Sequence, residues 1–275
     1  MFIEAAFFRI CEGILRSPLG RHDWTEEQIR GLFAQSIVDE LSSRFIKYPS
    51  LQVHIEKRYP LSRDVHKSLS VDIHADFSNK DLTTPLYNYG FRPKNWIEIK
   101  YFSGWSSSKS SLPTTENAAS IMKDFLRLII LTGGNKSLDN RYLIALFDNE
   151  PEIYLAKKIK KGGKREWLEI LLDKRLAEKK PYIDFSAEPN SFSKKIRSSN
   201  KIRNVSLTLY SQTFLPKVDE RLFSKEKLNA NQLLVYCYLF RIDDFKVTFE
   251  KGTIPAPRDE ETYKLCCNLA KDLWA

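Results

Sequence analysis

The stretches SVDIHADF (residues 70–77) and NWIEIKYF (residues 95–102) decide the fold prediction, because both alternate apolar and polar side chains. Successive side chains of a β-strand point to opposite faces, so this alternation predicts two strands. On the second strand Glu98 and Lys100 share a face. Neighbouring strands lie about 4.8 Å apart. If the two strands pair with Asp72 opposite Glu98, two carboxylates and one ammonium group converge at one point.

The apolar residues of the first strand are predicted to share the face opposite Asp72. This grouping places on one face Val71, Ile73, Ala75 and Phe77, and on the other Asp72, His74 and Asp76. Asp76 is therefore an alternative to Asp72 as a metal ligand, although both Asp76 and His74 are more simply expected to lie behind the site or in solvent.

The surrounding sequence predicts a mixed sheet flanked by helices, an α/β fold. Helices are predicted at about 2–16, 24–46 and 115–132, and further strands at about 51–59 and 141–148. Asp23 or Thr25 would cap the second helix, and the Gly133–Gly134 pair would end the third. Later in the chain the patterns predict a helix at about 164–180, strands at about 204–214 and 233–250, and a last helix at about 258–273.

The amino-acid composition predicts a chain with a packed core. Hydrophobic residues make up 42% of its 275 residues, which argues against global disorder. The four cysteines lack zinc-binding spacing, and a chain of this size needs no disulfide framework, so a reducing, cytoplasmic location is expected. No apolar stretch is long enough to cross a bilayer, so no membrane partner is expected.

The positive charge is concentrated in one segment. Residues 151–203 hold 15 Lys and Arg against 7 Asp and Glu, which accounts for eight of the nine net positive charges. Such a segment suits a DNA phosphate backbone, because each contact releases counterions, and it suits a solvated surface equally well. The candidate DNA-contacting residues are Lys157, Lys158, Lys160, Lys161, Lys164, Arg165, Lys194, Lys195, Arg197, Lys201 and Arg203.

Asp72, Glu98 and Lys100 together suit phosphodiester hydrolysis. A divalent cation neutralises charge on the phosphate and makes a bound water more acidic. Two carboxylates suit Mg²⁺, and an adjacent lysine can orient or deprotonate the attacking water or stabilise the developing negative charge. The alternative interpretation is a cross-strand ion pair on an exposed sheet face.

These residues resemble the PD-(D/E)xK nuclease superfamily, which has the fold of type II restriction endonucleases. The resemblance rests on Asp72, the tripeptide Glu98-Ile99-Lys100 found 26 residues later, and the helix–three strands–helix–strand order over roughly residues 24–148. It implies a restriction-endonuclease-like α-β-β-β-α-β core with C-terminal additions. It also implies that Asp72, Glu98 and the carbonyl of Ile99 bind Mg²⁺ and that Lys100 is catalytic. The sequence departs from the family pattern in having valine instead of proline before Asp72.

Many members of the family add an acid from the helix before the sheet. Phe33, Ile37 and Glu40 recur at helical spacing, which makes Glu40 the candidate fourth ligand. Its alternative is an ion pair with Arg44 one helical turn away.

The acid-x-Lys pattern occurs three times in the chain, and only its context separates the copies. They are Glu98–Lys100, Glu178–Lys180 and Asp244–Lys246. Only the first follows a strand that carries an aspartate and precedes a long helix and a buried strand. Glu178–Lys180 is expected on a solvated face.

The resemblance leads to a Mg²⁺-dependent endonuclease, most simply a type II restriction-type enzyme of a restriction–modification system that cuts double-stranded DNA as a homodimer. Residues 1–150 would form the nuclease core with its N-terminal helices. Residues 151–275 would add the basic DNA-contacting segment, packed on that core as one domain. Two alternatives are a structure-specific or nicking nuclease in repair or phage defence and a catalytically idle DNA-binding module of the same fold.

Overall fold

The alternating and apolar stretches of the sequence pair into a nine-stranded mixed sheet flanked by helices. The computed structural model describes residues 2–16, 24–44, 48–65, 69–78, 92–103, 114–134, 139–155, 165–196, 201–215 and 235–274. The helices are α1 (Phe2–Arg16), α2 (Glu26–Ser43), α3 (Thr114–Ile130), α4 (Pro151–Tyr154), α5 (Glu166–Leu172), α6 (Asn190–Ile196) and α7 (Asp259–Trp274). Short 3-10 helices span Pro49–Gln52 and Pro60–Val65.

The strands follow the order β1-β2-β3-β4-β8-β7-β5 across the sheet, with β6 paired to β7 and β9 paired to β8. Their bounds are β1 (Val53–Arg58), β2 (Ser70–Asp76), β3 (Lys94–Phe102), β4 (Asp139–Phe147), β5 (Glu178–Lys179), β6 (Tyr182–Asp184), β7 (Ile202–Phe214), β8 (Tyr236–Phe249) and β9 (Gly252–Ile254). The predicted mixed α/β architecture is therefore confirmed.

A crossover connection joins β3 to β4 through α3. These two strands are parallel, whereas β1, β2 and β3 are successively antiparallel. A parallel pair needs a crossover connection, and α3 supplies it. On the far side β4 pairs antiparallel with β8, so residues after 150 extend the same sheet.

Two apolar cores lie on opposite faces of the sheet. One contains Ile73, Ile97 and Tyr142 together with residues of α1 and α2. The other contains Trp96 and Leu143 together with residues of α3 and α7. Glu98 and Lys100, which point away from the first face in β3, lie against α3.

The ends of α2 and α3 are set by local chemistry. Thr25 caps α2, because its hydroxyl accepts the Gln28 N–H and the Gln28 side chain accepts the Thr25 N–H. Thr25 is one of the two predicted caps, and Asp23 lies outside the described residues. After α3, Gly133 and Gly134 adopt φ of 84° and 69°, which only glycine adopts at low cost.

The predicted helix at 164–180 is too long. The helix ends at Leu172, and Asp173 then accepts the backbone N–H of Arg175 in a turn. Residues 178 and 179 instead pair with β7. Local propensity favoured a continuous helix, but the edge of β7 offered backbone hydrogen bonds that a helix could not use.

Candidate active site

Asp72 lies against the tripeptide Glu98-Ile99-Lys100. Ile73 pairs with Ile97 in the β2–β3 ladder, so the same register places Asp72 opposite Glu98. At this point the Asp72 carboxylate accepts the backbone N–H of Ile99 at 2.7 Å. A side chain thus takes the place of a ladder acceptor and anchors Asp72 to the tripeptide.

The alternation of β2 breaks at Asp72, so the predicted face of Val71 is wrong. Val71 lies in the core beneath α3, whereas Ile73 lies in the core beneath α1 and α2. The β1 residue that would face Asp72 is Glu56, which has a left-handed φ of 54°. Both strands are therefore irregular at this level, and the irregularity turns Asp72 out of the ladder.

Arg30 of α2 connects the two irregular positions. Its Nη1 lies 3.1 Å from Glu56 Oε1 and 3.4 Å from Asp72 Oδ1. The guanidinium therefore fixes Asp72 from α2, whereas the N–H of Ile99 contacts it from β3.

Two charged residues of β3 meet two opposite charges of α3. Lys100 Nζ lies 3.4 Å from Asp124 Oδ2, and Arg127 Nη2 lies 3.4 Å from Glu98 Oε1. Asp124 and Arg127 also lie 3.4 Å apart, as residues three positions apart on a helix face can. The result is a buried quartet between strand and helix.

Tyr59 completes the surroundings of Glu98. Its hydroxyl donates to Glu98 Oε1, and both residues are almost inaccessible to solvent. A carboxylate buried this deeply needs such donors, because burial without hydrogen bonds is costly. The alternative of an ion pair on an exposed sheet face does not describe Glu98, whose side chain is 2% exposed.

The acid that α2 contributes is Glu26, and Glu40 lies apart from the site. Glu26 lies 4.0 Å from Lys100 Nζ and accepts the Tyr101 N–H at 3.3 Å. Glu40 is about 21 Å further along the helix, at 1.5 Å per residue. Its carboxylate pairs instead with Arg9 at 2.5 Å and with Arg44 at 3.7 Å, the ion pair that was its alternative role.

The electrostatics of the quartet favour an added positive charge. Burial raises the pKa of Glu98 well above its usual value and also raises the pKa of Asp124 and Glu26, and the nearby Asp72 adds to each shift. Burial by itself would lower the pKa of Lys100, but the surrounding carboxylates raise it. Lys100 therefore stays protonated at neutral pH, and the carboxylates compete for cations or protons.

The residues around Asp72 fit a divalent cation in donor type and in charge. Acids outnumber bases in the group, since Glu26, Asp72, Glu98 and Asp124 face Arg30, Lys100 and Arg127, and the exposed Glu56 also contacts Arg30. Carboxylate and carbonyl oxygens are the donors that Mg²⁺ prefers. Within the described residues no group of three or more His, Cys, Asp or Glu side chains is arranged to hold a metal, and Glu98 contacts Tyr59 and Arg127.

Solvent reaches this group from the N-terminal end of α2. The Glu26 side chain is 40% exposed and Lys100 is 22% exposed, whereas Asp124 is 3% exposed. A substrate would therefore approach Asp72 and Lys100 from the Glu26 side and not through α3.

Asp76 and His74 lie outside the group. Asp76 accepts the backbone N–H of Ser78 at 2.9 Å in a local turn beyond β2. His74 is buried between Trp96 and His54. Asp76 is thus committed to the strand end, and Asp72 is the acid that meets the tripeptide.

Several described members of the basic segment have partners within the chain. Arg165 is 2% exposed and pairs with Glu188 at 2.8 Å, so its predicted DNA contact is wrong. Lys201 pairs with Asp272 at 3.1 Å, and Lys195 lies 4.0 Å from Glu116. Lys194 and Arg203 are exposed. The candidates outside the described residues are Lys157, Lys158, Lys160, Lys161, Lys164 and Arg197.

The Glu178–Lys180 copy of the acid-x-Lys pattern is an exposed ion pair of 2.6 Å, as expected for a solvated surface. It lies at β5 and not at a helix end.

Sequence reasoning missed five residues of the site, namely Tyr59, Glu26, Arg30, Asp124 and Arg127. Asp124 and Arg127 carried a signal, because they are charges spaced three apart within the otherwise apolar stretch of α3. Glu26 had another explanation, because acids are favoured in the first turn of any helix. Tyr59 showed no polar pattern that would distinguish it from a core aromatic.

No family model, no curated protein and no solved structure matches this chain. None of the described helices combines the length and the apolar character that crossing a membrane requires.

Proposed function

We propose that this chain is a Mg²⁺-dependent endonuclease that hydrolyses phosphodiester bonds of DNA, with Asp72, Glu98 and Lys100 at its active centre. The observation that carries the proposal is the 2.7 Å bond from the Ile99 N–H to Asp72, which joins the first acid to the tripeptide holding the second acid and the lysine. In the proposed activity this arrangement would bring two carboxylates, a carbonyl and an ammonium group to one substrate.

The order of elements around the site also supports the proposal. α2, β1, β2, β3, α3 and β4 follow one another, and β3 is parallel to β4. This is the α-β-β-β-α-β order that the resemblance to the PD-(D/E)xK superfamily implies. A restriction-endonuclease-like core is accordingly part of the proposal.

Asp72, Glu98 and the carbonyl of Ile99 would hold the cation, which when bound supplies charge neutralisation at the phosphate and an acidified water. Asp72 is oriented for this role by the Ile99 N–H and by Arg30. Lys100, kept protonated by Asp124 and Glu26, stabilises negative charge that develops on the phosphate. Of the roles open to the lysine, charge stabilisation is thus favoured over proton abstraction.

The specific form of the activity that we propose is a type II restriction-type enzyme acting on double-stranded DNA as a homodimer. A two-fold dimer places two such centres on the two strands of a palindromic site. The alternative within the same chemistry is a structure-specific or nicking nuclease, which would leave one strand intact.

A DNA-binding module without catalysis is the second candidate. The observation that favours it is the occupation of Glu98 by Tyr59 and Arg127, which leaves this carboxylate with partners from its own chain. Such a protein would bind DNA equally well with or without Mg²⁺.

One cleavage assay separates these functions. Plasmid and phage DNA are incubated with the protein in Mg²⁺ or in EDTA, with Asp72→Ala and Lys100→Ala as site variants. Asp76→Ala is the matched control, since this acid lies on the same strand but binds only its local turn. Discrete bands indicate a restriction-type enzyme, and nicks or smears indicate the alternative nuclease.

The expected result is Mg²⁺-dependent cleavage by the wild type and by Asp76→Ala, at least about 100-fold lower in the two site variants. Asp72→Ala should retain DNA binding, because it removes a negative charge near the phosphate. Cleavage that survives in Asp72→Ala would refute the site, and DNA binding without Mg²⁺-dependent cleavage would favour the binding module.

A further inference from the structure

The guanidinium of Arg127 lies at the site with its hydrogen-bonding capacity only partly used. Its Nη2 donates to the Ser70 carbonyl at 2.8 Å, and its contacts with Glu98 and Asp124 are both 3.4 Å. Hydrogen bonds between charged groups are usually 2.7–2.9 Å long, so both ion pairs are longer than a close charged hydrogen bond. Among the described residues, the buried Nε has no hydrogen-bond partner.

A buried donor of this kind normally has a partner, so the open Nε and the two 3.4 Å contacts indicate that the protein alone does not saturate this guanidinium. An anionic acceptor suits this guanidinium best, because hydrogen bonds to carboxylate or phosphate oxygens are stronger than those to neutral oxygens. Arg127 lies beside Glu98, the second acid of the tripeptide, and its side chain is 17% exposed. A phosphate that reached Glu98 and Lys100 would therefore also reach Arg127.

We propose that Arg127 is the phosphate-binding cation of this site: it neutralises Glu98 in the free protein and donates to a phosphodiester oxygen of DNA when a divalent cation occupies Glu98. The inference rests on the proposed function and adds a residue and an order of events to it. In the free protein, Arg127 and Tyr59 offset the burial of Glu98. Once a cation takes over that carboxylate, Arg127 loses one partner and gains the phosphate as another.

The exchange predicts coupling between metal and DNA that depends on Arg127. When one ligand frees the side chain that a second ligand binds, each raises the affinity for the other by the same factor, commonly 5- to 150-fold. Wild-type protein should therefore bind a fluorescent DNA duplex about tenfold more tightly in Ca²⁺ than in EDTA. Ca²⁺ serves as the probe because it binds carboxylates, and any cleavage is checked on a gel.

The test measures duplex affinity by anisotropy in both conditions, Ca²⁺ affinity of the protein by calorimetry, and folding by thermal melts. Arg127→Met should bind Ca²⁺ and should lose the difference between Ca²⁺ and EDTA. Arg127→Lys keeps the charge but not the fork of donors, so it should retain part of the difference. The control is Arg141→Met, which removes a buried arginine held by Leu128 and Thr132 outside the site.

An undiminished Ca²⁺ effect in Arg127→Met overturns the proposal, as does a failure of that variant to bind Ca²⁺, which would make Arg127 a positioning residue for Glu98. If Arg127→Met does not fold, the lysine variant decides: a reduced effect supports the proposal and an unchanged effect overturns it. The variant Asp72→Asn distinguishes a failure of the proposed function from a failure of the role of Arg127. A Ca²⁺ effect that survives in Asp72→Asn sinks the proposed function, whereas its loss there and its persistence in Arg127→Met sink only the role of Arg127.

Discussion

Replacing His74 with phenylalanine should remove an acid-sensitive weakness of the fold. His74 is 4% exposed, its ring lies 4.2 Å from that of Trp96, and neither ring nitrogen has a hydrogen-bond partner among the described residues. Burial lowers the pKa of His74 from 6.5 to about 4. The imidazole of His74 is therefore protonated less readily in the folded protein than in the unfolded chain.

The sign and size of the effect follow from that pKa difference. Stability contributed by neutral His74 is complete above pH 6.5 and is lost as the pH falls towards about 4. One pKa unit corresponds to about 1.4 kcal/mol, so the loss is about 1 kcal/mol at pH 5.5 and about 3 kcal/mol at pH 4. Phenylalanine preserves the ring contact with Trp96 and cannot be protonated.

The assay is urea denaturation of the wild type and of His74→Phe at several pH values between 4 and 8. The free energies of unfolding should differ little at pH 8 and diverge by about 3 kcal/mol at pH 4, with the variant more stable. His54→Gln is the matched control, since it removes the histidine that faces His74 across the strand pair. Parallel curves for wild type and His74→Phe would refute the argument, because they would mean that His74 is protonated in the fold at little cost.

Two further substitutions test elements that hold the fold together. Thr25→Ala removes the capping box that begins α2 beside Glu26, and should lower the free energy of unfolding by about 1 kcal/mol in urea melts, whereas an unchanged value would mean that the cap contributes nothing. Arg165→Met leaves Glu188 buried without its cation, and should cost about 3–5 kcal/mol of stability without changing DNA affinity. Loss of DNA affinity at full stability would return Arg165 to the DNA-contacting surface.

Much of the core could be predicted from local sequence, because the period of the apolar residues depends only on the backbone geometry of helix and strand. The predicted helix over 2–16 coincides with α1, and the last predicted helix matches α7 to within one residue at either end. The two quoted strands pair in the expected register. Alternation failed at Val71, because β2 is irregular at Asp72, opposite the left-handed Glu56 of the neighbouring strand.

The site could be predicted only as far as its residues lie on paired strands. Asp72 met Glu98 and Lys100 because a register error of one residue would turn the apolar side chains of both strands to the wrong face. Which helix residues reach them depends on how α2 and α3 are rotated and shifted on the sheet. Helical periodicity shows which face of a helix is buried but not which buried residue lies above a given strand position. The periodicity of α2 therefore predicted Glu40 as its acid at the site, whereas Glu26 lies there.

The sequence by itself determined the α/β order of elements and the strand pair that carries two acids and a lysine, because both follow from short-range periodicity. Only the tertiary structure decided that Glu98 is held by Tyr59 and Arg127 and Lys100 by Asp124. These contacts join residues 24 to 39 positions apart, and their free energy depends on the burial that the packed layers create. Charge compensation in a buried site depends on how the layers pack, so no periodic pattern in the sequence predicts it.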